Sequence, residues 1–330
     1  MATLVTGGYG TIGANIVREL AARGHQVISL DIVSPDDLSH KDVEPWSKQV
    51  TWLTGDIVNP MIMEMVSTFH KIDKIVHVAT YTPYGDIEKN NGRRAVAINL
   101  EGTANLLELA HRLAAKRFIY ISSIAVYGGT PPSEQRLQED MPLKPRGIYG
   151  ITKYASELLT QRFGELYGFE TASLRLSQNW GTMERITPYH SRLSLLYEWA
   201  GKAVRGEPIE PSPFGKGVTE GRSFGQDHIY VKDTASFIGH LLDIPTVPHH
   251  VYNTATGRPL YLDEMVSAIR EAYPEVKIVG SVPKDDPTRK NVRWYDVSRM
   301  QEVDFAPQYD LVSALKDYIN WRQTFNFMDV

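Results

Sequence analysis

Tyr149 and Lys153 stand four residues apart in the run Tyr149-Gly-Ile-Thr-Lys153. On a helix this spacing puts a phenol and an ammonium on one face. A phenol titrates near ~10 and is a poor base at neutral pH, but a neighbouring ammonium favours the phenolate. Tyr149 can then take the proton from a substrate hydroxyl while the carbon gives up hydride. The pair alone is common on helices. It gains weight from Ser122-Ser123-Ile-Ala-Val-Tyr-Gly128, at the end of an apolar strand, because doubly wound parallel sheets bind ligands at the carboxyl ends of their strands. Ser123 is suited to hydrogen-bond the substrate oxygen on which Tyr149 acts. Ser122 reads as turn chemistry.

Hydride needs an acceptor. Thr6-Gly7-Gly8-Tyr9-Gly10-Thr11-Ile12-Gly13 joins a short apolar strand to an amphipathic helix. Gly7, Gly10 and Gly13 allow a tight turn and close approach to a pyrophosphate, with Thr11 and Ile12 at the helix start. The free amides and dipole of that helix end favour the phosphate charge. Asp31 closes the second strand, 18 residues after Gly13. A carboxylate there accepts hydrogen bonds from the adenosine ribose and repels a 2′-phosphate. Ile32 follows, where an arginine would favour NADP, so the expected cofactor is NAD.

These groups need a sheet to hold them. Thr3 to Val5, Gln26 to Leu30, Val50 to Leu53, Ile75 to Val78, Arg117 to Ile121 and Thr171 to Leu176 read as buried strands. Helices are expected over Thr11 to Arg23, about Arg94 to Ala115 and Tyr149 to Tyr167. The alternation predicts an α/β fold with a doubly wound parallel sheet. Beyond Gly181 the pattern loosens into Pro- and Gly-rich loops, followed by a helix around Val231 to Leu242 and a strand at Val251 to Thr254. Further helices follow Leu262 and Leu311. Residues 1–176 are expected to form the NAD-binding domain and 177–330 a smaller α/β substrate region, with some segments returning to the sheet.

Of the 330 residues 42% are apolar and 22% charged, with a net charge of −4. That balance predicts a globular protein with no nucleic-acid or membrane partner. The absence of cysteine excludes disulfides, thiolate nucleophiles and Cys-ligated zinc. His249-His250 would point to opposite faces of a strand, so no metal site is expected. The absence of a basic, apolar leader predicts a cytoplasmic location. Apolar residues on more than one side of the two long helices, among them Leu106, Leu107, Leu109, Ala110, Leu158 and Phe163, predict a homodimer.

The combination resembles the extended short-chain dehydrogenases, also called the NAD-dependent epimerase/dehydratase family. The resemblance covers nearly the whole chain and implies a Rossmann-type fold with Ser123, Tyr149 and Lys153 as the catalytic set. It implies adenine contacts at Gly55-Asp56-Ile57, and puts His77-Val78-Ala79-Thr80 beside the cofactor phosphates and nicotinamide ribose. Asn99, in Asn99-Leu-Glu-Gly-Thr103, would support the active-site backbone. Tyr230-Val-Lys-Asp233, Asp296-Val-Ser298 and Trp321 also fit the pattern.

Members acting on nucleotide sugars resemble one another in an asparagine where this chain has Gln178, followed here by Asn179. They also share an arginine where it has Gln226. A second basic position aligns near Asp285 and Asp286, which would repel a pyrophosphate. Arg222, Arg289, Lys290 and Arg293 are the cations left to compensate. Tyr81, Ser123, Gln178, Asn179, Arg222 and Tyr230 are the expected substrate residues. Ile124 and Ala125 stand where similar dehydratases carry an Asp-Glu pair, and neither transfers a proton. The expected function is an NAD-dependent sugar epimerase of the nucleotide-sugar 4-epimerase type. The alternatives are a net dehydrogenase of a small polyol, sugar acid or hydroxy acid, and a non-catalytic NAD-sensing or scaffold protein.

Overall fold

Successive residues of the apolar strands turn to opposite faces, so a strand apolar throughout must be covered on both sides. Leu4, Ile28, Ile75 and Phe118 pack into one core, and their neighbours Val5, Val27, Val76 and Ile119 into another. The computed structural model describes residues 1–83, 86–128, 135–186, 193–211, 226–284, 286, 289 and 292–327. In chain order the elements begin β1 (Ala2–Thr6), α1 (Thr11–Ala22), β2 (Gln26–Asp31), α2 (Asp37–Asp42), β3 (Val50–Thr54), α3 (Pro60–Phe69) and β4 (Ile72–His77). They continue through α4 (Asp86–Val96), α5 (Gly102–Arg112), β5 (Arg117–Ser123), β6 (Gln135–Leu137), α6 (Ile148–Tyr167), β7 (Glu170–Leu176) and β8 (Gln178–Trp180). The rest are α7 (Leu195–Arg205), β9 (His228–Tyr230), α8 (Val231–Asp243), β10 (Val251–Thr254), α9 (Leu262–Ala272), β11 (Arg293–Tyr295), α10 (Ser298–Gln301) and α11 (Leu311–Thr324).

Seven strands form one sheet in the order β10-β7-β5-β4-β1-β2-β3, with every pair parallel. This is the doubly wound, Rossmann-type fold. The order reverses between β1 and β4, which opens a crevice beyond their carboxyl ends. Helices α1 and α8 cover one face, and α3 and α5 the other. A further core gathers Trp199 of α7, Met265 and Ile269 of α9 and Leu315 and Tyr318 of α11. Strand β10 returns from this late part of the chain to the sheet edge, pairing Val251 with Ser173.

Two differences from the sequence reading bear on the site. The helix expected from Arg94 starts earlier, at Asp86, and is interrupted by a π-turn at Ala97–Glu101 before α5. Helix α7, and the three-residue strands β6, β8, β9 and β11, lie outside the expected elements.

Candidate active site

The loop after β1 is shaped by contacts that exclude side chains. Gly7 has φ +74°, and a Cβ there would lie 2.7 Å from the Ala79 amide nitrogen. A Cβ on Gly13 would fall 2.0 Å from the Gly7 carbonyl oxygen. Gly10 begins α1 with no side-chain cap, so the first-turn amides are left to an external acceptor. Beneath the loop, the buried His77 ring meets the Thr6 hydroxyl at 2.8 Å and the Thr103 hydroxyl at 3.0 Å. Burial, with the Lys153 charge adding to it, pulls His77 down to about 3. It is a neutral tie between β1, β4 and α5 at the switch point.

One cavity of about 490 Å³ runs from this loop to the end of β5. Every residue assigned to the cofactor from sequence borders it except Asn99 and His77. Asp31 accepts from the Tyr9 amide at 3.0 Å and the Val33 amide at 3.0 Å. Burial raises its carboxyl, against those bonds. Asn99 instead sits in the π-turn, buried behind the wall. Its Oδ1 accepts from the Tyr81 amide, and its Nδ2 donates to the Tyr81 carbonyl and the Thr152 hydroxyl. One side chain thus ties the segment after β4 to the second turn of α6. Single π-turns within helices are frequent at functional sites, and Asn99 lies in one.

Helix α6 carries Tyr149 and Lys153. Glu88 of α4 accepts from the Ile148 amide at its N-terminus, and Gly168, left-handed at φ 78°, ends it. Lys153 is buried and donates to the Ile121 carbonyl at 2.7 Å, with its ammonium 5.7 Å from the centre of the Tyr149 ring. Burial pulls Lys153 down to about 7, and Glu157 opposes that fall. Ser123, Tyr149 and Lys153 all border the cavity. Ser123 also accepts from the Ala125 amide. The Ser122 hydroxyl turns away to Glu157 at 2.5 Å, and Glu157 in turn pairs with buried Arg175 at 2.8 Å.

Gln178 and Asn179 border the same cavity, with Gln178 donating to Gln226 at 3.1 Å. Two other expected substrate residues are not among its lining. Tyr81 is buried beneath the Arg94 guanidinium. Tyr230 donates its hydroxyl to Asp317 at 2.5 Å and borders a separate cavity with Trp180 and Tyr309. Arg222, with Tyr84, Tyr189, His190, Asp285 and Lys290, lies outside the described residues. Arg289 is half-exposed and pairs with Asp263, whereas Arg293 is buried. His249 reaches Glu302 and His250 reaches Thr171.

A strap absent from the sequence reading crosses the glycine loop. Thr182 and Asn15 exchange hydrogen bonds of 2.6 and 2.9 Å, and Thr11 donates to the Met183 carbonyl. Arg185 pairs with Asp36 at 2.8 Å and donates to the Tyr9 carbonyl at 2.7 Å. Glu184 and Arg185 both border the cavity. Nothing local in Met183-Glu-Arg185 announces this; the signal lies in partners far along the chain.

Residues 3–255 match the NAD dependent epimerase/dehydratase family. The chain belongs to this family. Among its relatives, a putative UDP-glucose 4-epimerase of Methanocaldococcus jannaschii is 26% identical over 98% of this chain and 99% of its own length. A UDP-glucose 4-epimerase of Halalkalibacterium halodurans is 32% identical over 72% of this chain and 69% of its own. The structure of the UDP-glucose 4-epimerase of Thermotoga maritima superposes with a TM-score of 0.78 at 22% identity, covering 99% of this chain and 100% of that one.

As a family member the chain is an NAD-dependent enzyme of the extended short-chain dehydrogenase type. Its residues fit the cofactor. The side-chain-free cradle at Gly7 and Gly13, the uncapped α1 and the carboxylate of Asp31 meet what a dinucleotide requires. No described helix is long and apolar enough to cross a membrane.

Proposed function

We propose that the protein is a nucleotide-sugar epimerase that inverts a carbinol centre by transient oxidation. Gly7, Gly10, Thr11, Ile12 and Gly13 would hold the NAD pyrophosphate, Asp31 the adenosine ribose, and Asp56 and Ile57 the adenine. Val78, Ala79 and Thr80 would flank the nicotinamide ribose, with Asn99 fixing their backbone. NAD supplies the hydride acceptor that this chemistry needs. Tyr149 removes the hydroxyl proton, and Lys153 keeps the phenol acidic enough to give it up. Ser123 orients the same oxygen, and Tyr149 returns the proton when hydride comes back to the other face.

The observation that carries this reading is the shared cavity, with Ser123, Tyr149 and Lys153 at one end and the glycine loop at the other. Epimerisation is favoured over dehydration because Ile124 and Ala125, directly after Ser123, cannot transfer the protons that elimination requires. The likeness to UDP-glucose 4-epimerases points the same way. We read residues 1–176 as the cofactor domain and 177–330 as chiefly the substrate region. The working unit is read as a homodimer, with α6 supplying its apolar contact.

Thermal stabilisation of the NAD-saturated protein by UDP, dTDP, GDP and CDP tests the nucleotide. A ligand at ~100 times its dissociation constant adds about 2.7 kcal/mol of apparent stability. A shift with one nucleotide supports the reading and identifies the carrier. No shift with any of the four removes it.

A second reading rests on Gln178, Asn179 and Gln226, which are neutral where they border the cavity. A net dehydrogenase of a free sugar acid or polyol needs no diphosphate clamp. It would accumulate NADH, whereas an epimerase shows no net absorbance change.

A further inference from the structure

Two walls of the cofactor groove are tied together by one side chain. The glycine loop and the strap residues Glu184 and Arg185 border the same cavity, so a dinucleotide held on the α1 amides has the strap for its other wall. The first half of the strap is fixed in the interior. A Cβ on Gly181 would collide with the Tyr230 ring, and Met183 is fully buried in the core around Trp199 and Tyr318. Met183 also holds φ +62°, a left-handed backbone that a residue with a side chain keeps only where its surroundings enforce it.

The second half is held by Arg185. Its guanidinium lies 3.8 Å from the centre of the Tyr9 ring. Nη1 donates to Asp36 at 2.8 Å, and Nη2 donates to the Tyr9 carbonyl at 2.7 Å and the Ser39 hydroxyl at 3.3 Å. The Tyr9 hydroxyl donates to the same Asp36 oxygen at 3.3 Å, and the Tyr9 amide to Asp31. Arg185 thus joins the strap, the glycine loop and the start of α2 beside Asp31, the carboxylate read as the partner of the adenosine ribose. The Arg185 side chain is 9% exposed and that of Asp36 42%, so the pair closes at the edge of the protein. Opening it hands the charges to water rather than leaving one buried alone, which is what makes a pair in this position able to open.

We propose that the Arg185–Asp36 pair is a latch on the cofactor groove, which sets how fast NAD enters and leaves while its affinity stays nearly the same. A latch acts on the barrier that both directions share, whereas a contact made only in the bound state slows release alone. The inference rests on the chain's use of NAD and on no choice of sugar reaction.

The test follows labelled NAD off and onto the whole protein with no sugar present. Holoprotein is chased with unlabelled NAD, and NAD-stripped protein is reloaded. Arg185→Met keeps an apolar stem against Tyr9 and removes the charge. Asp36→Asn removes the opposite charge yet keeps the N-cap of α2, because asparagine caps as well as aspartate. Each variant speeds both release and loading about 10- to 100-fold, with a Kd within about threefold of wild type. The double variant exchanges no faster than the faster single one, since both changes open one pair.

Unchanged exchange in both variants overturns the proposal. Faster release with unchanged loading also overturns it, because Arg185 would then be a contact of the bound dinucleotide. Effects that multiply in the double variant mean two separate roles and overturn it too. If Arg185→Met melts early without NAD, Asp36→Asn alone decides. A negative result leaves the epimerase reading standing, since no sugar enters the measurement.

Discussion

A phenol is a weak acid, and the Lys153 ammonium lies 5.7 Å from the centre of the Tyr149 ring. That ammonium is buried and anchored to the Ile121 carbonyl, so its position depends on the sheet rather than on the helix alone. Tyr149→Phe keeps the ring and removes the proton carrier. Turnover should fall by about 10²- to 10⁴-fold, while NAD remains bound after gel filtration. Full activity in that variant would rule out Tyr149 as the acid–base group. That Tyr149, Lys153, Ser123, the three glycines and Asp31 border one cavity could be anticipated from short motifs placed on successive strands and helices. Glu157 was nearly legible, since it lies one helical turn beyond Lys153. Arg293 read only as one of four cations left to compensate for a phosphate clamp, because its burial depends on Gly128 and Gln226, far away in the chain.

At the scale of elements, long apolar strands declare themselves and short ones do not. The central strands β1, β2, β4 and β5 are apolar on both faces and were legible from that alone. Strands β6, β8, β9 and β11 have three residues each, too few for a period, and exist because a distant partner supplies the hydrogen bonds. Helix α7 did carry its signals: Ser194 caps its start and left-handed Gly206 ends it. The strap was hidden because its hold on the glycine loop is made by single residues. Its buried carboxyl has a measurable consequence. Burial raises Glu184 from 4.5 to about 7, against hydrogen bonds from Ser194 and Gly181. Between those values the folded chain holds a proton that the unfolded chain has lost, so this group's contribution to stability falls as pH rises through the window. Glu184→Gln cannot titrate. Relative to wild type its melting temperature should gain a few kelvin, on the order of 1–3 kcal/mol, between pH 4.5 and 7.5. A difference between the two proteins that is constant with pH would show that Glu184 is ionised in the fold.

For the whole molecule, the decisive question is which apolar surface the fold leaves uncovered. Leu106, Leu107, Leu109 and Ala110 of α5 were among the residues expected to support a dimer, but all are fully buried in the chain's own core. Helix α6 differs. Ile151 is 49% exposed, Leu158 52% and Leu166 53%. Ile151 and Leu158 lie two turns apart and share a face, so they present a stripe to solvent that the chain does not cover. Exposed apolar side chains are ordinary when scattered, and informative when aligned along an element. A closed two-fold pair would bring α6 against its own copy and bury the stripe twice. That contact would also brace the helix holding Tyr149 and Lys153. Light scattering on the eluting protein should therefore give twice the 37.2 kDa chain mass. Leu158→Glu, which puts a charge into the stripe but nothing into the chain's own core, should give a monomer that still holds NAD. A wild-type monomer would remove the dimer, and a dimer unaffected by Leu158→Glu would move the interface to another face.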